Sequence, residues 1–190
     1  MGQGKGSLLI HTRDYVEREH GRDVWSSLVE GASDADQVVL KELWLRGGWY
    51  SIGVINRVVE RLCYDHGRMS AEEEMRQLSA YIADSDLGTV YKMVLRMGSA
   101  TFLVKRTGSL WNRYFDTGDM RPEQVSERHW RLRLHMAYGD EVAPNDLFCG
   151  PGCPSWIEMG LRLTGAEDAK VEHVECRRHN REACVYDVTW

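Results

Sequence analysis

From Ser7 to Phe115 the apolar residues return every three or four positions; further on they return every second one. The first rhythm belongs to helices with one buried face, the second to half-buried strands. Ser7–Glu19 carries Leu8, Leu9, Tyr15 and Val16 on one helical face, and His20-Gly21 interrupts it. Asp23 is placed to cap a short helix through Trp25, Leu28 and Val29, which Gly31 stops. Ser33 or Asp34 restarts the chain through Val38, Val39, Leu43 and Trp44. After Gly47-Gly48, Ser51 is a candidate cap for a helix from Ile52 to Tyr64, where Ile52, Ile55, Val58, Val59 and Leu62 keep helical spacing. Ser70 opens another helix through Met75, Leu78, Tyr81 and Ile82, with Glu72, Glu73 and Glu74 in the first turn, where the helix dipole favours acids. Further helices fit Thr89–Met97 and Ala100–Phe115.

Beyond Phe115, Trp130, Leu132, Leu134 and Met136 alternate with His129, Arg131, Arg133 and His135, which predicts a strand beginning near Glu127. Met120–Glu123 is either its antiparallel partner or a loop, and Pro122 argues for an edge. Pro144-Asn145-Asp146 precedes a helix whose regular part is expected to start near Ser155, past Pro151 and Pro154, and to end at Leu163. Two strands, Ala169–Arg177 and Glu182–Thr189, close the chain around a turn at Arg178–Arg181. The order predicts an α+β fold, a helical N-terminal two-thirds packed on a C-terminal antiparallel sheet with one inserted helix. Residues 1–190 are expected to form a single domain, helical to about residue 115 and sheet plus helix from about 116.

A hydrophobic share of 43% is enough for a sizeable core, and a net charge of −5 makes nucleic acid a poor default partner. No apolar run approaches the roughly 18 residues of a membrane span. The first residues show no export signal, and Ser7 falls one position late for an N-myristoylation pattern, so a cytoplasmic setting with reduced thiols is expected. Cys63 reads as a small buried hydrophobe beside the stripe of its helix. The other four cysteines, Cys149, Cys153, Cys176 and Cys184, fall in the last 46 or so residues. They are open to three readings: reduced core thiols, zinc ligands, or a redox pair. Zinc takes four Cys or His ligands, but the spacing is not that of paired CxxC fingers. His173 and Cys176 also have opposite parity on a regular strand, so a site using both needs a bulge or an irregular strand end.

Two further groups are candidates. His129, Arg131, Arg133 and His135 form a basic strand face that could meet an anion or an acidic partner, or be a solvated outer face. The aromatic residues of the helical part, among them Trp49, Tyr50, Tyr81, Tyr91, Phe102 and Trp111, could line an apolar pocket or simply fill the core. No phosphate-binding glycine loop, dinucleotide fingerprint, Gly-x-Ser-x-Gly elbow or His-Glu-x-x-His is present, so no reaction is written in the chain.

The closing His173, Cys176 and Cys184, followed by Val185-Tyr186-Asp187-Val188, resembles the end of the 4-vinyl-reductase-type sensor domains. Those share a superfamily with TRAPP subunits and haem-nitric-oxide-binding domains. The whole chain is also similar to a bacterial family found mainly in myxobacteria, through Lys5-Gly6-Ser7, His20-Gly21, Gly48-Trp49-Tyr50, Leu110-Trp111 and the closing Trp190. The resemblance implies a non-catalytic sensing domain for a small apolar ligand, with that ligand or a regulatory protein as partner and a homodimer as its assembly, or alternatively a ligand-free TRAPP-like scaffold. It also implies a structural zinc ion on Cys149, His173, Cys176 and Cys184, with Cys153 as the rival of Cys149. Histidine at 173 departs from the glutamate usual there. The absence of a Tyr-x-Ser-x-Arg element argues against haem.

Overall fold

The computed structural model describes residues 2–90, 98–136, 146–179 and 181–190. Part of the expected helix Thr89–Met97, the candidate Tyr91 and the Pro144-Asn145 start signal lie outside the described residues. The architecture is α+β. Strand β1 (Gln3–Lys5) leads into helices α1 (Gly6–Glu19), α2 (Arg22–Glu30) and α3 (Asp34–Lys41). Strand β2 (Trp49–Ser51) precedes α4 (Ile52–Arg61), and a π-turn at Leu62–His66 leads towards the long helix α5 (Ala71–Val90). Two short helices follow, α6 (Ala100–Lys105) and α7 (Thr107–Tyr114). The main sheet takes β3 (Asp119–Ser126), β4 (His129–His135), β5 (Lys170–Glu175) and β6 (Cys184–Thr189) in the order β3-β4-β6-β5, all antiparallel. Between β4 and β5 lie a π-turn, Phe148–Gly152, and helix α8, Cys153–Arg162.

Several expectations hold to the residue. Gly21 breaks the chain between α1 and α2 at a φ of 101°, a conformation costly for any side chain. Ser33 caps α3 by accepting from the amide of Asp36, and Ser70 does the same for Glu73 at the start of α5. Trp130, Leu132 and Leu134 of β4 face the core while the odd positions do not. Pro122 lies in β3, an edge strand, where its missing amide hydrogen costs no ladder bond to an inner neighbour.

Others are corrected. The expected helix Ala100–Phe115 is broken at Arg106 into α6 and α7. The helix expected to stop near Ile82 continues to Val90, and α3 ends at Lys41, before Trp44. Trp44 is buried nonetheless, its indole donating to the Val39 carbonyl. Ser51 forms no side-chain cap on α4. Helix α8 begins at Cys153, two residues early, because Pro154 sits in its first turn, where no amide partner is needed. The strand pair β1–β2 carries no periodic signal and was not expected. It docks the start of α1: the amides of Gly6 and Ser7 donate to the carbonyls of Gly48 and Arg46, and a Cβ at Gly6 would overlap the Leu45 carbonyl.

Two hydrophobic cores result. One joins α1, α2, α4 and α5 through Leu9, Val16, Leu28, Leu62 and Leu78; the other joins the sheet, α6, α7 and α8 through Val104, Leu132, Leu161, Tyr186 and Val188. Phe115, Phe148 and Trp156 pack against both. Helix α5 contributes to each, with Leu78 in the first core and Leu87 in the second. Glu74, read from the sequence as a first-turn acid, has no exposed surface. It accepts from the Tyr15 hydroxyl at 2.8 Å and the Arg68 amide at 3.3 Å, and pairs with His20 Nε2 at 2.7 Å. Removing one partner of such a buried group strands the others, at a cost of about 3–5 kcal/mol. Glu74→Ala is therefore expected to lower Tm by roughly 6–20 °C for a chain of this size, with Glu74→Gln losing less because an acceptor remains. Thermal unfolding of the two variants against the parent protein measures it.

Candidate functional site

The seam between the two cores holds a cavity of about 110 Å3. Leu8, Ile55, Leu78 and Ile82 come to it from the helical core, and Trp111, Met120, Phe148, Cys153 and Ile157 from the sheet side. Among the described residues no lysine, arginine, histidine or carboxylate lines it. Thr12 and Thr107 are in the wall, but their hydroxyls are committed to the carbonyls of Leu8 and Val104. Tyr114 also lines it, and its phenol is pushed up by burial and by Asp86 behind it. Asp86 in turn holds His11 at 3.0 Å, Ser7 at 3.2 Å and Arg46 at 3.4 Å.

Of the aromatic residues singled out as pocket candidates, Trp111 lines this cavity. Four do not, because each is engaged elsewhere. Trp49 is partly exposed under the Lys5 ammonium, and Tyr50 accepts from the Leu45 amide at 2.9 Å. Tyr81 packs on Tyr15 with Arg18 over its ring, and Phe102 lies at the surface under Arg106. The wall mixes aliphatic residues such as Ile55, Leu78 and Ile82 with other aromatic ones, Phe115, Phe148 and Trp156 among them, and helical spacing cannot distinguish a cavity from plain packing.

The cysteines are sorted by the turn before α8. Cys149, Cys176 and Cys184 bring their sulfurs within 4.8 Å of one another, with Cys184 at 3.9 Å from Cys149 and 4.0 Å from Cys176. Cys153, one turn on, faces the cavity and the Tyr186 ring instead; burial pushes its thiol up to about 12, against the opposing effect of the Tyr186 hydroxyl. The sulfur contact with Cys149 holds Cys184 well below the usual thiol range, with help from His173 and the Arg177 backbone and against burial. The same contact, with burial, pushes Cys149 up.

The parity objection to His173 and Cys176 is met by a bulge. His173 pairs with Tyr186 and Glu175 with Val185, so Val174 is the extra residue and the two candidates fall on one side. His173 stacks on Tyr186, ring centroids 4.9 Å apart, beside Cys184 but outside the three-sulfur group. Its Nε2 is buried with no hydrogen-bond partner among the described residues.

The basic strand face is neutralised in place. Arg131 donates to Asp187 at 2.8 Å, His129 lies 3.6 Å from the same carboxylate, and Arg133 donates to Glu123 at 3.1 Å. His135 stands opposite Asp119 in the register. An anion would have to displace these cross-strand partners.

No protein-family model matches the chain, and no curated protein matches it. Solved structures do. An H-NOX protein from S. oneidensis in the Fe(II)NO state is 14% identical over 97% of each chain, with a TM-score of 0.67. An unliganded Fe(II) H-NOX protein from K. algicida is 10% identical over 97% of this chain and 95% of its own, with a TM-score of 0.66. A structure from work on haem distortion in the H-NOX family is 10% identical over 98% of this chain and 94% of its own, at 0.69. The fold is thus that of the H-NOX domains. The expectation against haem is corrected accordingly. It rested on one missing motif, and proteins of this fold carry haem iron.

The Arg131–Asp187 pair has a defined pH signature. Arg131, with a smaller part from His129, holds the Asp187 carboxyl below its ordinary range in the folded state. The folded state then releases that proton more readily than the unfolded state does. The stabilisation is complete above the unfolded value of about 3.9 and is lost as pH falls through the lower folded value. The stability difference between the parent protein and Asp187→Asn is expected to be present at pH 7 and to shrink below about pH 4. Urea unfolding at both ends of that range checks it.

Proposed function

We propose that this chain is a non-catalytic ligand-sensing domain that takes a small apolar molecule in the seam cavity, all 190 residues acting as one unit. The observation that carries the reading is the position of the cavity. Its wall is drawn from both cores, so an occupant touches α1, α4, α5, α7 and α8 together, and its presence can be felt across the molecule. Such a cavity, apolar with few polar groups, is the usual form of a small-molecule site. Haem is one specific candidate, since the H-NOX structures of this fold carry it. The donors in the wall able to meet iron are the Cys153 sulfur, the Met75 and Met120 thioethers and the Tyr114 phenol, with no histidine among the described lining residues. Iron porphyrin would supply gas binding.

We also propose that Cys149, Cys176 and Cys184, with His173 as fourth ligand, hold a structural zinc ion. Sulfur-to-zinc bonds of about 2.3 Å in a tetrahedron put sulfurs about 3.8 Å apart. The observed 3.9 and 4.0 Å are close to that edge. Four protein ligands leave no open position for a substrate, so the ion would serve the fold.

A second reading, a docking module for a regulatory protein or a second copy of the chain, is favoured by Val38, Leu43 and Leu45. These are 71%, 87% and 66% exposed at and after the end of α3. A protein that stays monomeric at high concentration and captures no defined partner would sink it.

The ligand reading is tested by titrating the neutral fluorophore N-phenyl-1-naphthylamine and, separately, hemin into freshly purified protein, with native mass spectrometry for a co-purified molecule. Fluorescence enhancement, a Soret band or a retained small molecule is expected. Failure of all three overturns the reading. For the metal, elemental analysis is expected to give about one zinc per chain, and cobalt substitution to give thiolate charge-transfer bands. Cys176→Ser should lower zinc affinity at least tenfold; unchanged zinc content in that variant would remove the thiol group from the site.

A further inference from the structure

The three-sulfur group and the cavity share one piece of chain, and a second side chain stands between them. The shared piece is the π-turn Phe148–Gly152 with Cys153 directly after it. Within these six residues, Cys149 turns its sulfur to Cys184, while Phe148, Gly152 and Cys153 stand in the cavity wall. The turn has little slack. A Cβ at Gly152 would stand 2.5 Å from the terminal methyl of Met75 on α5, itself a wall residue. The side chain between them is Tyr186, fully buried on the central strand β6. Its ring stacks on His173, its hydroxyl stands beside Cys153, and Cys184 is two residues before it on the same strand.

An ion held by the three sulfurs therefore fixes Cys149 and, with it, the turn that carries it. A molecule in the cavity presses on Phe148 and Cys153 in that same turn. A π-turn is a one-turn departure from the α-helical ladder, so a nearby alternative arrangement of the backbone is available to it. The two sites bias one element.

We propose that the sulfur group and the cavity are thermodynamically linked: a metal ion on Cys149, Cys176 and Cys184 changes the affinity of the cavity for an apolar ligand. The ligand then changes the affinity for metal by the same factor, as linkage requires. This inference rests on the cavity and zinc readings above and goes beyond them, since neither site alone demands that it feel the other.

The test uses the full chain. N-phenyl-1-naphthylamine affinity is measured on zinc-loaded protein and on protein stripped by chelator under reducing conditions. Zinc affinity is measured by chelator competition with and without saturating fluorophore. The expected result is a shift of about fivefold or more in each affinity, equal in both directions. Cys149→Ser is expected to bind the fluorophore as the stripped protein does, whether or not zinc is added. If both ligands bind and neither affinity moves, the linkage is overturned while the two sites stand. If the fluorophore or zinc fails to bind, the reading of that site falls and the linkage falls with it.

Discussion

Two carboxylates without free access to water hold α1 against α5. Glu74 near the start of α5 takes Tyr15 and His20, and Asp86 three turns later takes Ser7 and His11. A buried carboxylate is tolerated only when its oxygens are paired, so each fixes the distance and rotation between the two helices. On another side α5 meets the α8 segment through glycines: Gly152 at Met75 and Gly160 at Leu87. One helix is thus held by polar clamps to the first core and by close approach to the second. The cavity is the space left where the walls cannot collapse onto each other, because α5 is held from both directions.

Much of this was legible in the chain and some of it was not, for definable reasons. Alternation along Trp130, Leu132 and Leu134 specified β4, since a strand buried on one face leaves a period of two. The length of α5 was obscured by Asp84-Ser85-Asp86, a polar run that looks like an interruption. Asp86 instead points inward to His11, and a polar residue satisfied in the core defeats a reading based on apolar spacing. The break at Arg106 between α6 and α7 has only Gly108 near it, two residues on and inside α7, a weak signal for a break. The cavity was invisible for a different reason: Leu78 and Ile82 keep the same spacing whether they meet another side chain or a void.

The thiols show both sides of this. Residue types and order singled out Cys149, Cys176 and Cys184, and strand parity posed a specific difficulty for His173 beside Cys176. Its resolution, the extra residue Val174, resides in the hydrogen-bond register between β5 and β6, which side-chain pattern does not encode. The separation of Cys153 from Cys149 is likewise a matter of helical phase: four residues apart across the π-turn, one sulfur meets the sheet end and the other the cavity.

The outer strands of the sheet have a consequence for the behaviour of the chain in a crowded solution. An exposed strand edge invites pairing with another polypeptide, the first step of amyloid-like growth. Here β3 carries Pro122 and an irregularity between Gln124 and Ser126, and β5 carries its bulge at Val174 with Glu172 and Glu175 on either side. Neither edge presents a long, smooth row of free amides and carbonyls. The bulge that brings His173 and Cys176 onto one side also guards the sheet against templated stacking.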